Sequence, residues 1–164
     1  MGIYMDAPQK KFVFFLILAL MVGLLVGWKV LQFSNSNFQF SNNNQSLQIL
    51  KIGQAEVIVE VADTGEKRSQ GLAGRDGLEE NQGMWFRFDQ PGQYGFWMKG
   101  MKFSLDFVWI SGDRVVEITE NVPVSNEDSP KVYQPQQPIE AMLEVNAGWV
   151  KGNGIKVGDE VVVE

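Results

Sequence analysis

The chain has 164 residues, with 14 Lys and Arg against 20 Asp and Glu, a net charge of −6, and neither His nor Cys. That length suits one domain able to bury a real core. The two missing residue types exclude disulfides, thiol nucleophiles, Ser-His-Asp and Cys-His arrangements and ordinary zinc, haem or copper ligation, leaving carboxylate, lysine, tyrosine or hydroxyl chemistry and oxygen-ligand metal sites.

Residues 1–11 carry Lys10 and Lys11, and Phe12 through Trp28 is an uninterrupted apolar run. If Lys29 snorkels toward the headgroups, residues 12–31 make a helix of roughly 30 Å, the thickness of a bilayer core. The positive-inside bias then leaves residues 1–11 in the cytoplasm and puts everything after Leu31 on the extracytoplasmic side of the inner membrane. A cleaved signal peptide, which would make the domain secreted, is the weaker reading: signal apolar regions are shorter, and the only small-residue cleavage candidate is Ser34-x-Ser36. Residues 32–46 are rich in Asn and Ser and uncharged, and they read as a polar tether. Residues 47–164 hold 11 basic and 19 acidic residues, a net of −8. Such a domain is a poor partner for nucleic acid or anionic lipid.

From residue 47 the pattern is β-rich. Leu47–Ile52 and Ala55–Ala62 read as a hairpin turning at Gly53-Gln54. Asp63 reads as a helix N-cap with Glu66 completing the capping-box spacing and Gly74 as the stop. Within that helix Arg68, Leu72 and Arg75 would share one face, with Gly71 allowing close packing on a sheet. Strand candidates then follow at 84–88, 94–98, 105–110, 115–122, 141–145 and 155–163, eight strands in all, separated by turn signals, with 126–138 as an exposed loop. Closely spaced strands without a βαβ alternation predict a mainly β, mostly antiparallel sheet that curls into a barrel or sandwich, with one or two short helices, behind an N-terminal transmembrane helix. No EF-hand loop, Walker lysine loop or GxGxxG follows a strand, so neither metal nor cofactor is expected.

Phe96-Trp97-Met98-Lys99-Gly100-Met101-Lys102-Phe103-Ser104-Leu105-Asp106 is the densest cluster of chemistry in the chain. With Gly83-Met84-Trp85-Phe86-Arg87-Phe88, Arg68-Ser69-Gln70-Gly71-Leu72-Ala73-Gly74-Arg75, Glu144-Val145-Asn146-Ala147-Gly148-Trp149 and Asn153-Gly154-Ile155-Lys156-Val157-Gly158-Asp159, it resembles the bacterial and archaeal family of domain of unknown function 192 (DUF192) from about Gln54 to Val163. Gly100 and Ser104 depart from the family pattern, which has a polar residue and Pro there. The resemblance implies a small β-rich domain without an established activity.

Five residues are proposed to gather round one cleft: Arg68, Arg75, Trp97, Lys99 and Asp106. Asp106 shares a strand face with Val108 and Ile110, where a lone charge needs a partner, and Arg68 or Arg75 is the expected one. The arginines could equally hold a carboxylate, phosphate or sugar hydroxyl. Trp97, Met98 and Met101 read as core or as a stacking platform, and Lys99 as a cation turned into a cleft. Asp106 and Glu144 are a remote candidate for an acid–base pair. The favoured function is a membrane-tethered binding or accessory module for a small polar or anionic ligand of the envelope, such as a saccharide. A histidine-free hydrolase or lyase using Asp106, Glu144 or Lys99, and a protein-interaction domain, are the alternatives.

Overall fold

A computed structural model describes residues 47–125 and 129–164. The proposed anchor at 12–31 and tether at 32–46 lie outside the described residues. Among the described residues no helix is long and apolar enough to cross a membrane.

Strands β1 (Leu47–Ile52) and β2 (Ala55–Ala62) form the expected hairpin, with Ile52 opposite Ala55 across the two-residue turn Gly53-Gln54. Alternation sets the faces: Leu50, Ile52, Val57 and Val59 are fully buried on one side, whereas Ile49, Glu56 and Ile58 point outward. Helix α1 (Gly65–Gln70) then carries the chain over the sheet to β3 (Gln82–Gly92), which lies parallel to β2. The short β4 (Phe96–Trp97), the hairpin of β5 (Leu105–Ser111) and β6 (Arg114–Val122), the short β7 (Val132–Tyr133) and β8 (Ile139–Asn146) follow. Helix α2 (Trp149–Asn153) and β9 (Val161–Val163) come last.

Seven strands make one sheet in the order β6-β5-β8-β3-β2-β1-β9, antiparallel except at β2–β3, while β4 and β7 pair as a separate ribbon. Its edges approach at one end, where Arg114 bridges Glu160 and Val161 N donates to Asp113 O at 2.8 Å. The result is a mostly β half-barrel with two short helices, not a sandwich. Its concave face holds one apolar core, including Leu50, Val59, Val108, Leu143 and Val145, stoppered by Trp149 and Val150 of α2. The convex face carries a second, aromatic core of Phe86, Phe96, Phe107 and Trp109, roofed by Leu72 after α1 and by the β4–β7 ribbon.

Several expectations need correction. Thr64, not Asp63, caps α1: its hydroxyl accepts from Lys67 N at 3.2 Å, leaving the Asp63 carboxylate to bond Lys67 Nζ at 2.9 Å. Gly71, not Gly74, ends the helix, because its φ of 52° leaves the helical region. Arg75 therefore lies beyond the helix and shares no helix face with Arg68. Nine strands are found among the described residues rather than eight, since Val132–Tyr133 within the expected loop pairs with β4. The final candidate strand is confined to Val161–Val163; a turn at 156–159, in which Asp159 accepts from Lys156 N at 2.8 Å, takes the preceding residues.

Candidate functional site

The half-barrel separates the candidate residues by face. Across β3, β8 and β5, Met84 pairs with Glu144 and Glu144 with Phe107, so these three share the convex face. Asp106 pairs with Val145 and so points the other way, into the concave core beside Val108 and Ile110. The two carboxylates cannot form an acid–base pair through the sheet between them.

Asp106 is fully buried but not paired with either arginine, contrary to the expectation. One carboxylate oxygen accepts from Asn121 N at 2.8 Å, and the other from Gly148 N at 2.9 Å and Val150 N at 3.1 Å. Gly148 caps α2, so the carboxylate satisfies backbone donors at the start of that helix and pins it to β5 and β6. Arg75 is committed elsewhere: its guanidinium grips the nearly buried Glu60 carboxylate through two bonds of 2.5 and 2.6 Å. Neither Asp106 nor Arg75 lines a cleft with the other candidates.

Arg68, Trp97 and Lys99 do come together. They line a cleft of about 320 Å³ between α1, the turn after it, β3 and β4, with Phe86, Phe88, Tyr94, Phe96 and Met101 as apolar walls and Glu144 at its base. The volume is at the small end of the roughly 300–1,000 Å³ usual for ligand sites. One wall is the α1 turn, where Gly71 packs over Phe86: a Cβ at Gly71 would stand 3.6 Å from that ring. The opposite wall is ringed by aromatics, Phe88 and Tyr94 stacked with centroids 3.5 Å apart and Phe86 edge-on to Phe96. Two ties join the walls: Gly74 N donates to Gly100 O at 2.9 Å, and Lys102 pairs with Asp76 at 2.7 Å.

Each polar group in the cleft has a distinct status. Arg68 spends one N–H on Arg87 O at 2.8 Å and lies over the Phe88 ring at 5.1 Å, which leaves other N–H groups of its fork toward the cleft. Lys99 is exposed, and its ammonium has no ion-pair partner among the described residues. Met98 and Met101 are buried core, but Trp97, the last residue of β4, is 52 % exposed.

Glu144, which the sequence offers only as a remote partner of Asp106, lines the cleft on its own. It is 6 % exposed and has no hydrogen-bond or ion-pair partner among the described residues. On the other face of the sheet Gly83 of β3 lies close against β8, where a Cβ would stand 2.6 Å from the Glu144 main-chain oxygen. Desolvation pushes its carboxyl up to about 8, so it is largely protonated at neutral pH. The available signal was the alternation of Ala141, Leu143 and Val145, which sends Glu144 to the opposite face between Met142 and the end of the strand. Among the described residues no group of three His, Cys, Asp or Glu side chains could hold a metal ion, and Glu144 is the only carboxylate lining this cleft.

The model of the DUF192 family, described as an uncharacterized ACR, matches residues 48–163. Nothing among the curated proteins matches. A crystal structure from Sinorhizobium meliloti 1021, described as that of a "putative transcription regulator", is similar with 26 % identity and a TM-score of 0.68, covering 75 % of this chain and 98 % of that one. A protein of unknown function from Novosphingobium aromaticivorans DSM 12444 is similar at the same identity and TM-score, covering 75 % of this chain and 89 % of that one.

Proposed function

The chain belongs to the DUF192 family, and we propose that it is a binding module for a small polar ligand of the cell envelope, held outside the cytoplasmic membrane by the apolar segment at 12–31. One observation carries the binding reading: a half-exposed tryptophan stands at the mouth of a cleft whose base holds a buried carboxyl without a partner. The Trp97 ring offers an open stacking face, and the Glu144 carboxyl a hydrogen-bonding group that nothing among the described residues engages. A ligand with a flat apolar face and polar substituents, such as a saccharide, answers both at once by stacking on Trp97 and hydrogen bonding to Glu144. A domain of net charge −8 repels the phosphate backbone, which counts against nucleic acid as the ligand.

Calorimetric titration of the full chain with envelope saccharides tests the binding reading. Saturable binding is expected, with Trp97→Ala weakening it at least tenfold at unchanged melting temperature; an unchanged affinity in Trp97→Ala would remove the cleft as the site. For the anchor, the protein is expected to stay with membranes in alkaline carbonate and to lose the domain to protease applied from the outer face. A soluble fragment beginning near Asn37 would show a cleaved signal instead.

A second reading draws on Glu144 alone. A carboxyl protonated near neutral pH is poised as a general acid, and Lys99 stands in the same cleft. Ordinary glycoside hydrolysis needs two carboxylates, whereas Glu144 is the only one lining the cleft among the described residues. Binding therefore ranks ahead of hydrolysis, and product formation from any saccharide that binds would reverse that order.

A further inference from the structure

The cleft sorts its charge by depth. Glu144 lies at the base, 6 % exposed and without a donor among the described residues, whereas Arg68 is half-buried and Lys99 exposed. The rings of Phe86, Phe88, Tyr94, Phe96 and Trp97 line the same cleft. Aromatic faces attract cations, and a carboxylate beneath them supplies the counter-charge. A purely cationic ligand would have to pass Arg68 and Lys99, and a purely anionic one would leave Glu144 unused. We infer that the ligand is a zwitterion, its cationic nitrogen seated on Glu144 and the aromatic rings and its carboxylate or phosphate held by Arg68 and Lys99. This rests on the binding reading above and names the class of ligand that the same cleft takes.

The arrangement couples binding to a proton. In the empty cleft the Glu144 carboxyl keeps its proton up to a pH of about 8 because burial disfavours its charge. An arriving ammonium favours the carboxylate, so the carboxyl O–H bond breaks, its electron pair stays on Glu144, and one proton leaves to solvent for each ligand bound below that pH. The other charged or titratable groups are Arg68 from α1, Tyr94 from the β3–β4 connection, Lys99 after β4, and the Glu60–Arg75 pair beyond Met84 on β2. Phe107 on β5 and Met84 on β3, the strand neighbours of Glu144, bring no charge. Asp106 faces the other side of the sheet.

The test is calorimetry on the full chain in phosphatidylglycerol vesicles, with trimethylglycine and glycerophosphocholine as zwitterions that do not titrate between about pH 6 and 9. Choline and acetate serve as the half-ligands. A zwitterion is expected to bind at least tenfold more tightly than either half. Its affinity should rise about tenfold per pH unit from 6 to 8 and level off above, with close to one proton released at pH 6. Glu144→Gln, which keeps the shape and removes the charge, should abolish the slope and the proton release. Replacing the vesicles with phosphatidylcholine separates two sources: unchanged glycerophosphocholine binding assigns a soluble zwitterion, and its suppression assigns a lipid headgroup. Binding of a neutral saccharide that weakens as pH rises through 8 would overturn the inference while keeping the binding reading, since Glu144 would then act as a hydrogen-bond donor. If neither zwitterions nor saccharides bind, both fall.

Discussion

Asp106 and Glu144 are buried carboxylates on adjacent strands of one sheet, within one residue of direct register, and they face opposite cores. On the concave side Asp106 is met by three backbone N–H groups and closes the half-barrel around α2. On the convex side Glu144 meets none among the described residues, and burial keeps it largely protonated at neutral pH. Burial alone therefore does not separate a structural acid from a functional one; the backbone donors around it do. A carboxylate that the fold satisfies stabilises the fold, and one that the fold leaves open is available to something that arrives later.

The sharpest break of that comparison is Asp106→Asn. It removes the charge and turns an amide N–H toward backbone donors, so it should destabilise the full chain by about 3–5 kcal/mol in urea unfolding. A loss below about 1 kcal/mol would mean that Asp106 does not anchor α2.

Glu144→Gln should act with the opposite sign and with a pH dependence. The unfolded chain ionises this group near 4.5 and the folded chain near 8, so between those values the unfolded state binds fewer protons and stability falls as pH rises. The substitution should therefore be nearly neutral at pH 4 and stabilising by on the order of 5 kcal/mol at pH 9, read from thermal melts across that range. A flat difference would show that Glu144 ionises normally and would erase the contrast with Asp106.

Glu60→Gln sharpens the comparison with an intermediate case, a nearly buried acid satisfied by a side chain instead of the backbone. Because Arg75 stays partly exposed, the expected loss is smaller, about 1–2 kcal/mol, measured by the same unfolding. Trp97→Ala and Lys99→Ala come last, within about 0.5 kcal/mol of the parent, since both side chains stand open at the cleft mouth. Unfolding by either would return the cleft to the status of a core.

Much of this was legible in the residues. The two-residue turn and alternating valines give the β1–β2 hairpin and its faces, and period two places Asp106 with Val108 and Ile110. Its partners were not legible, because they are main-chain groups up to 44 positions away that any sequence could supply. The shared helix face of Arg68 and Arg75 failed at Gly71, where a single positive φ ends the helix. The strand Val132–Tyr133 is two residues long, too short for any period to register. Lys99 was readable as a cleft residue from its setting at a strand end, whereas Trp97 read as core sooner than as platform, because nothing in its local pattern separates it from Met98 and Met101. Glu144 was readable in direction but not in solitude: the absence of a donor is a property of the packed sheet.

The pairing of β9 with β1 sets the order in which the domain can be finished. Leu50 opposite Val163 and Ile52 opposite Val161 join segments more than 100 residues apart, and the bridge between Arg114 and Glu160, just before β9, depends on the same stretch. Loop closure of that length slows folding. The concave core can be sealed only after Val161 has emerged, so a chain threaded through a narrow pore would stay open until β9 had passed, and the half-barrel would then form on the far side.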